Sequence, residues 1–196
     1  IANLIESRDG STGLHVKNTQ NYVQILTKAL REKGMYPDIL DHNYELNTVK
    51  ASVLHDIGKI KTPDAILLKP GRLTDEEFEV MKQHTVAGCE IIDRIIGNVE
   101  HEEYVDIARK IARYHHERWD GTGYPDGLSG EEIPLCARIM ALADVFDALY
   151  QDRCYKKAIR PASKVFEIIK ENSGSQFDPN LTEIFLELQR EITDIS

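Results

Sequence analysis

Seven histidines stand in this chain, and helical spacing aims most of them inward. His15, His55, His84 and His115 each fall on or beside the apolar stripe of a different predicted helix, and His116 adjoins the last. A single inward imidazole is ordinary core; one from each of four helices is harder to dismiss, because every buried polar group needs a partner. His42 and His101 lie in polar, loop-like or helix-start surroundings and are read as surface residues. Two aspartates sharpen the case: Asp56 follows His55 in "VLHDIGK", and Asp144 sits in "IMALADVFDAL". A carboxylate buried among such neighbours is costly unless something cationic meets it. Arg138 and Arg153 are candidate salt-bridge partners for Asp144, and a divalent metal is the alternative.

Five histidines and two aspartates form a mixed nitrogen and oxygen donor set, which suits Fe, Mn, Ni, Co or Zn better than Ca or Mg. The set exceeds one tetrahedral site, so two metals sharing Asp56 as a bridging carboxylate are expected. Two metals about 3.5–4 Å apart are the usual apparatus for in-line attack on a phosphorus ester, with a metal-bridging hydroxide as nucleophile. Lys59, one helical turn past His55, is placed to touch a non-bridging phosphate oxygen.

The elements that must position these groups read as helices throughout. Helical periodicity runs over residues 14–31, 46–57, 105–116 and 135–149, and over two amphipathic segments, 162–171 and 179–192. Thr74 and Glu77 form a capping box that opens a long helix with Phe78, Met81, His84, Gly88, Ile91 and Ile95 on one stripe. "KTPDAILLKPGR" reads as a Pro-punctuated loop, and residues 118–132 as a Gly-rich one. No alternating strand and no internal repeat occurs, so a single all-α domain is predicted. Within it His115 and His116 are an oddity, since adjacent helical residues point about 100° apart. They share a cavity only if the inward direction bisects them.

The formal charge of −9 argues against a broad basic surface for a DNA or RNA duplex. A small anionic ligand then needs metals or a few Lys and Arg beside it. No apolar run approaches the roughly 20 residues of a membrane helix, and no signal-peptide pattern is present. Cys89, Cys136 and Cys154 lack CxxC spacing and read as reduced thiols of a cytoplasmic protein. The chain starts at Ile1, and a fragment of a longer polypeptide is expected.

"HDIGK" (55–59) resembles the HD signature of metal-dependent phosphohydrolases, and "HHERWDGTGYP" (115–125) is similar to the extended signature of the HD-GYP family. The likeness continues through residues 62–85, "ARIMALADVFDALYQDRCYKK" and "SGSQFDP", and spans residues 8–179. It implies an HD-domain helical bundle extended by C-terminal helices, making residues 1–196 one catalytic domain. It further implies a phosphodiesterase that opens cyclic di-GMP to linear pGpG, with some members continuing to GMP. Carried over by motif, the metal ligands are His15, His55, Asp56, His84, His115, His116 and Asp144. The catalytic residues are Asp56 and Lys59. Substrate contacts fall on Lys59, Gly123, Tyr124, Asp147, Arg153 and Lys156, with Arg153 and Lys156 on phosphates and Tyr124 by a guanine or ribose. Two divalent ions are expected, Fe or Mn ahead of Ni, Co or Zn. A preceding sensory or receiver domain and a homodimer are further expectations.

Two departures stand out. Three-metal members carry a glutamate four residues before the first histidine, where this chain has Ser11. Serine is a poor ligand, and Asp9 or Glu6 substitutes only if the helix start shifts. Two metals are therefore expected, and pGpG rather than GMP. Cys154 replaces a common proline, with a small local effect expected. The alternatives are a phosphodiesterase for another cyclic dinucleotide such as 3′,3′-cyclic GMP-AMP, a cyclic di-GMP sensor of weak activity, and a generic HD phosphohydrolase, which the GYP loop disfavours.

Overall fold

A computed structural model describes residues 14–96, 102–151 and 158–195. Its helices are α1 (His15–Glu32), α2 (His42–Ala51), α3 (Asp64–Leu67), α4 (Asp75–Ile96), α5 (Glu102–Tyr114), α6 (Leu135–Tyr150), α7 (Ala162–Glu171), α8 (Pro179–Glu187) and α9 (Gln189–Asp194). No strand occurs among the described residues, only the isolated bridges Asp120–Ser129 and Ser173–Phe177. The fold is all-α, as predicted.

The axis of the bundle is α6. Its sequence is apolar on every side, and such a helix has to be surrounded. Cys136, Ile139, Met140, Leu142, Ala143 and Phe146 are wholly buried. Tyr22 and Leu26 of α1, Ile111 of α5, and Phe166 and Phe185 of the C-terminal helices join them in one core. Phe146 gathers the rings of Tyr22, Phe166 and Phe185, with centroids 5.1, 4.9 and 5.6 Å away. The C-terminal helices thereby extend the same core rather than forming another.

The capping box at the start of α4 forms as expected, with Thr74 N donating to Glu77 Oε2 (2.7 Å) and Glu77 N to Thr74 Oγ1 (3.3 Å). The buried face of α4 is narrower than predicted. It consists of His84, Thr85, Ala87, Gly88 and Ile92, while Phe78 and Ile95 are exposed. The middle of α4 packs on α5 and on the 3₁₀ stretch Ile57–Lys61, and the predicted stripe overruns that contact at both ends.

Other boundaries differ in ways that bear on the site. The segment 46–57 is not one helix: α2 stops at Ala51, and 3₁₀ turns Ser52–Leu54 and Ile57–Lys61 flank His55 and Asp56. Gly58 shows what the break accommodates. A Cβ on Gly58 would lie 1.8 Å from the His84 carbonyl oxygen, so only glycine allows this backbone to lie against α4. Likewise α5 ends at Tyr114, and His115 and His116 occupy the following turn. Outside the helix the 100° rule no longer separates them. Residues 61–72 are not all loop, since α3 forms one turn within them. The last amphipathic segment divides at Leu188 into α8 and α9. Arg138 does not serve Asp144. It meets Asp178 at 2.6 Å in a buried ion pair, joining α6 to the N-cap of α8.

Candidate active site

Four histidines enter the site with the same hand. The Nδ1 of His55 lies 2.8 Å from Ser52 O, that of His84 2.7 Å from Met81 O, and that of His115 2.9 Å from Ile111 O. A carbonyl only accepts, so each Nδ1 carries the hydrogen, and in the neutral ring Nε2 is the nitrogen left with a lone pair. His15 makes the same use of a carboxylate, its Nδ1 lying 2.6 Å from Asp147 Oδ2. Fixing one ring nitrogen by hydrogen bond while the other faces a cavity is how ligating imidazoles are oriented.

The freed nitrogens converge on Asp56. His84 Nε2 and His115 Nε2 lie 3.3 and 3.7 Å from its Oδ1. His55 Nε2 lies 3.4 Å from Oδ2, which Lys59 Nζ also meets at 2.7 Å. The carboxylate thus faces two ways. On one side Asp56, His84, His115 and His116 offer donor atoms within 4.8 Å of one another; on the other, His15, His55 and Asp144 do the same. His15 Nε2 lies 3.3 Å from Asp144 Oδ1. The Nε2 atoms of His55, His84 and His115 and the Oδ1 of Asp56 are buried without a hydrogen-bond partner. Packing does not leave four polar atoms stranded in one place, whereas divalent cations fit this donor set.

The electrostatics suit the same role. Against the burial that would raise it, Lys59 and His55 hold the Asp56 carboxyl well below its ordinary range. Burial lowers His84 to about 4, and burial beside His115 and His84 holds His116 far down. Both are neutral imidazoles at neutral pH. His15 behaves oppositely: its hydrogen bonds to Asp144 and Asp147 outweigh burial and raise it to about 10.

Beyond the histidines, the loop after α5 brings Tyr124 over His116, ring centroids 4.9 Å apart and tilted by 31°. Two hollows meet at this pair. One, of about 270 Å³, includes Lys59, Lys69, Met81 and His84 in its wall. The other, of about 310 Å³, includes Phe78, Lys82, Arg118, Thr122 and Gln176.

A model of the HD domain matches residues 3–181. The chain belongs to the HD domain family. Its motif residues fit the HD-GYP branch of that family. A Vibrio cholerae cyclic di-GMP phosphodiesterase is 46% identical over 199 residues, covering 100% of this chain and 40% of that protein. A Thermotoga maritima cyclic di-GMP phosphodiesterase is 49% identical over 145 residues, covering 74% of this chain and 38% of that protein. The crystal structure of a cyclic GMP-AMP specific phosphodiesterase from V. cholerae superimposes with a TM-score of 0.65 at 19% identity, covering 98% of this chain and 49% of that one. This last likeness concerns the fold. The HD domain chain spans less than half the length of the curated relatives it matches.

Within this HD domain the structure brings together His15, His55, Asp56, His84, His115, His116 and Asp144, with Lys59, Gly123 and Tyr124 beside them. Asp147, expected among the substrate contacts, is 1% exposed and meets His15 Nδ1 and Asn18 Nδ2 (3.1 Å) with its carboxylate, so in this structure it stands behind a histidine. Arg153, Lys156, Cys154, Ser11, Asp9, Glu6 and His101 lie outside the described residues. His42 is exposed at the start of α2, as read from the sequence. Sequence reasoning missed Asn18 and Glu117. A polar residue three positions after a ligand candidate was the available signal for Asn18. No helix among the described residues is long and apolar enough to cross a membrane.

Proposed function

We propose that this HD domain is a metal-dependent phosphodiesterase that opens cyclic di-GMP, mainly to linear pGpG. The observation that carries the reading is the pair of ligand groups flanking one carboxylate, with four stranded donor atoms between them. Asp56, His84, His115 and His116 would hold one divalent transition metal, and His15, His55 and Asp144, with Asp56 shared, the other. Iron or manganese is favoured over nickel, cobalt or zinc. When bound, the metals supply Lewis acidity toward the phosphate and lower the pKa of the attacking water. Lys59 reaches the same cleft from Asp56 and donates to a non-bridging phosphate oxygen. Tyr124 stands by a base or ribose, and the two hollows beside it suit a ligand with two nucleosides. The water oxygen bonds to phosphorus, the bond from phosphorus to the 3′ oxygen breaks, and a proton from the water goes to that departing oxygen, which leaves as the 3′ hydroxyl.

Chromatography of products tests this after anaerobic loading with Fe²⁺ or Mn²⁺. Cyclic di-GMP should disappear with pGpG accumulating. Faster loss of 3′,3′-cyclic GMP-AMP would reassign the base preference, and tight binding without hydrolysis would favour the sensor.

Metal uptake should also release protons. Metal-free His15 holds its proton up to about pH 10, and ligation needs the neutral ring. His84 and His116 are already neutral and release none. Loading at pH 8 should therefore release at least one proton, the one from His15 adding to any lost by metal-bound water, and metal affinity should fall as pH drops. Calorimetry in two buffers of different ionisation enthalpy measures it; uptake with no proton release would remove His15 from the ligand set.

A further inference from the structure

Glu117 directly follows His116 and is 3% exposed. It is not among the residues facing the metal groups. Its Oε1 accepts from Asp126 N (2.7 Å) and Gly127 N (3.1 Å), and its Oε2 from Leu128 N (3.1 Å). A buried carboxylate spent wholly on three backbone amides is a clamp. It ties the turn that carries His115 and His116 to the far limb of the loop that carries Tyr124. On the outer side Arg113 grips Asp126 through two nitrogens, at 3.0 and 2.8 Å. Between the two limbs Gly123 lies directly on Glu117: an added Cβ would fall 2.4 Å from Arg118 N and 2.5 Å from Glu117 Cα. Tyr124 N then donates to His116 O at 3.3 Å. The base of the loop is docked as well, Trp119 N on Gln176 O (3.2 Å) and Asp120 N on Ser175 O (2.8 Å).

We infer that Glu117 is a positioning residue for the substrate: by closing this loop it holds Tyr124 on His116, between the two hollows, before any ligand arrives. The inference rests on the phosphodiesterase reading for its consequence and on the loop geometry for its content. A preformed wall removes an ordering cost from binding, and small displacements of such a wall cost much of the rate or affinity. Asp126 and Gly127 are exposed residues, so water can reach their amides once the carboxylate is gone. Loss of the clamp should therefore shift the loop without unfolding the domain.

The test uses metal-loaded Glu117→Ala and Glu117→Gln proteins. In the alanine variant, exchange protection of the Asp126, Gly127 and Leu128 amides should be lost, metal content should stay at the wild-type level, and KM for cyclic di-GMP should rise by about tenfold or more with a smaller change in kcat. Glutamine keeps one acceptor oxygen but turns an NH₂ toward another donor, so it should fall between wild type and alanine on both readouts. Lost protection with an unchanged KM would overturn the inference. So would loss of metal with kcat falling and KM constant, which would make Glu117 a support of the histidines instead. Binding of cyclic di-GMP is followed alongside turnover. A wild type that neither binds nor hydrolyses it sinks the functional reading and this inference together; a wild type that does, beside an alanine variant with normal KM, sinks the inference alone.

Discussion

Asp56→Ala should strip the chain of metal and lower turnover of cyclic di-GMP by at least about 10³-fold, since the metals supply several kcal/mol of transition-state stabilisation. The expectation follows from the two-sided geometry. Oδ1 faces His84 and His115, and Oδ2 faces His55 and Lys59. No other carboxylate among the described residues faces both groups, so both lose a donor at once. The variant also leaves Lys59 without the carboxylate it meets at 2.7 Å, so the phosphate contact loses its alignment. Far-UV circular dichroism and metal analysis separate this outcome from unfolding. The helices should remain, because the residues that build the core, such as Phe146 and Ile111, lie elsewhere. Asp56→Asn should behave similarly, as the amide keeps the shape and loses the charge that two cations require. Retained metal with full turnover would remove Asp56 from the centre of the mechanism.

Asp147→Ala should weaken metal binding by about 10–100-fold, the usual cost of losing a group that orients a ligating histidine. Two readings of this residue lead to opposite measurements. A substrate contact would raise KM and leave metal content alone. The structure instead places the carboxylate 2.6 Å from His15 Nδ1 and seals it from solvent. Its removal frees the imidazole to turn, and it leaves the Asn18 amide without its acceptor at 3.1 Å. Metal content at limiting metal should therefore fall first, with turnover restored when metal is supplied in excess. Asp147→Asn should be milder, since its oxygen still accepts from His15. A raised KM at unchanged metal affinity would return Asp147 to the substrate side.

Much of the fold was legible because its signals are local. A 3.6-residue apolar period, a Thr-to-Glu capping box and an all-apolar segment need only neighbours along the chain to be read. Those signals yield α1, α6 and α7 to within one residue, the start of α4, and α5 to within three residues. The inward histidines were legible for the same reason. The broken helix around His55 and Asp56 was not. It answers to α4 lying against Gly58, a contact between segments about 26 residues apart that no local pattern encodes.

By itself, the sequence determined which side chains are candidates for the chemistry and that the fold carrying them is all-α. Tertiary structure alone decided their partners. Asp144 and Asp147 lie one turn apart on the same face of α6, so spacing makes them equivalent. The crossing of α6 over α1 separates them, setting one carboxylate at His15 Nε2 and the other at Nδ1. Arg138, on that same helix, found Asp178 rather than Asp144, and Glu117 turned to its own loop. Partner choice between distant segments turns on differences of about an ångström, because a hydrogen bond weakens steeply beyond its normal length. Periodicity fixes only a direction, and those distances are set when the helices pack.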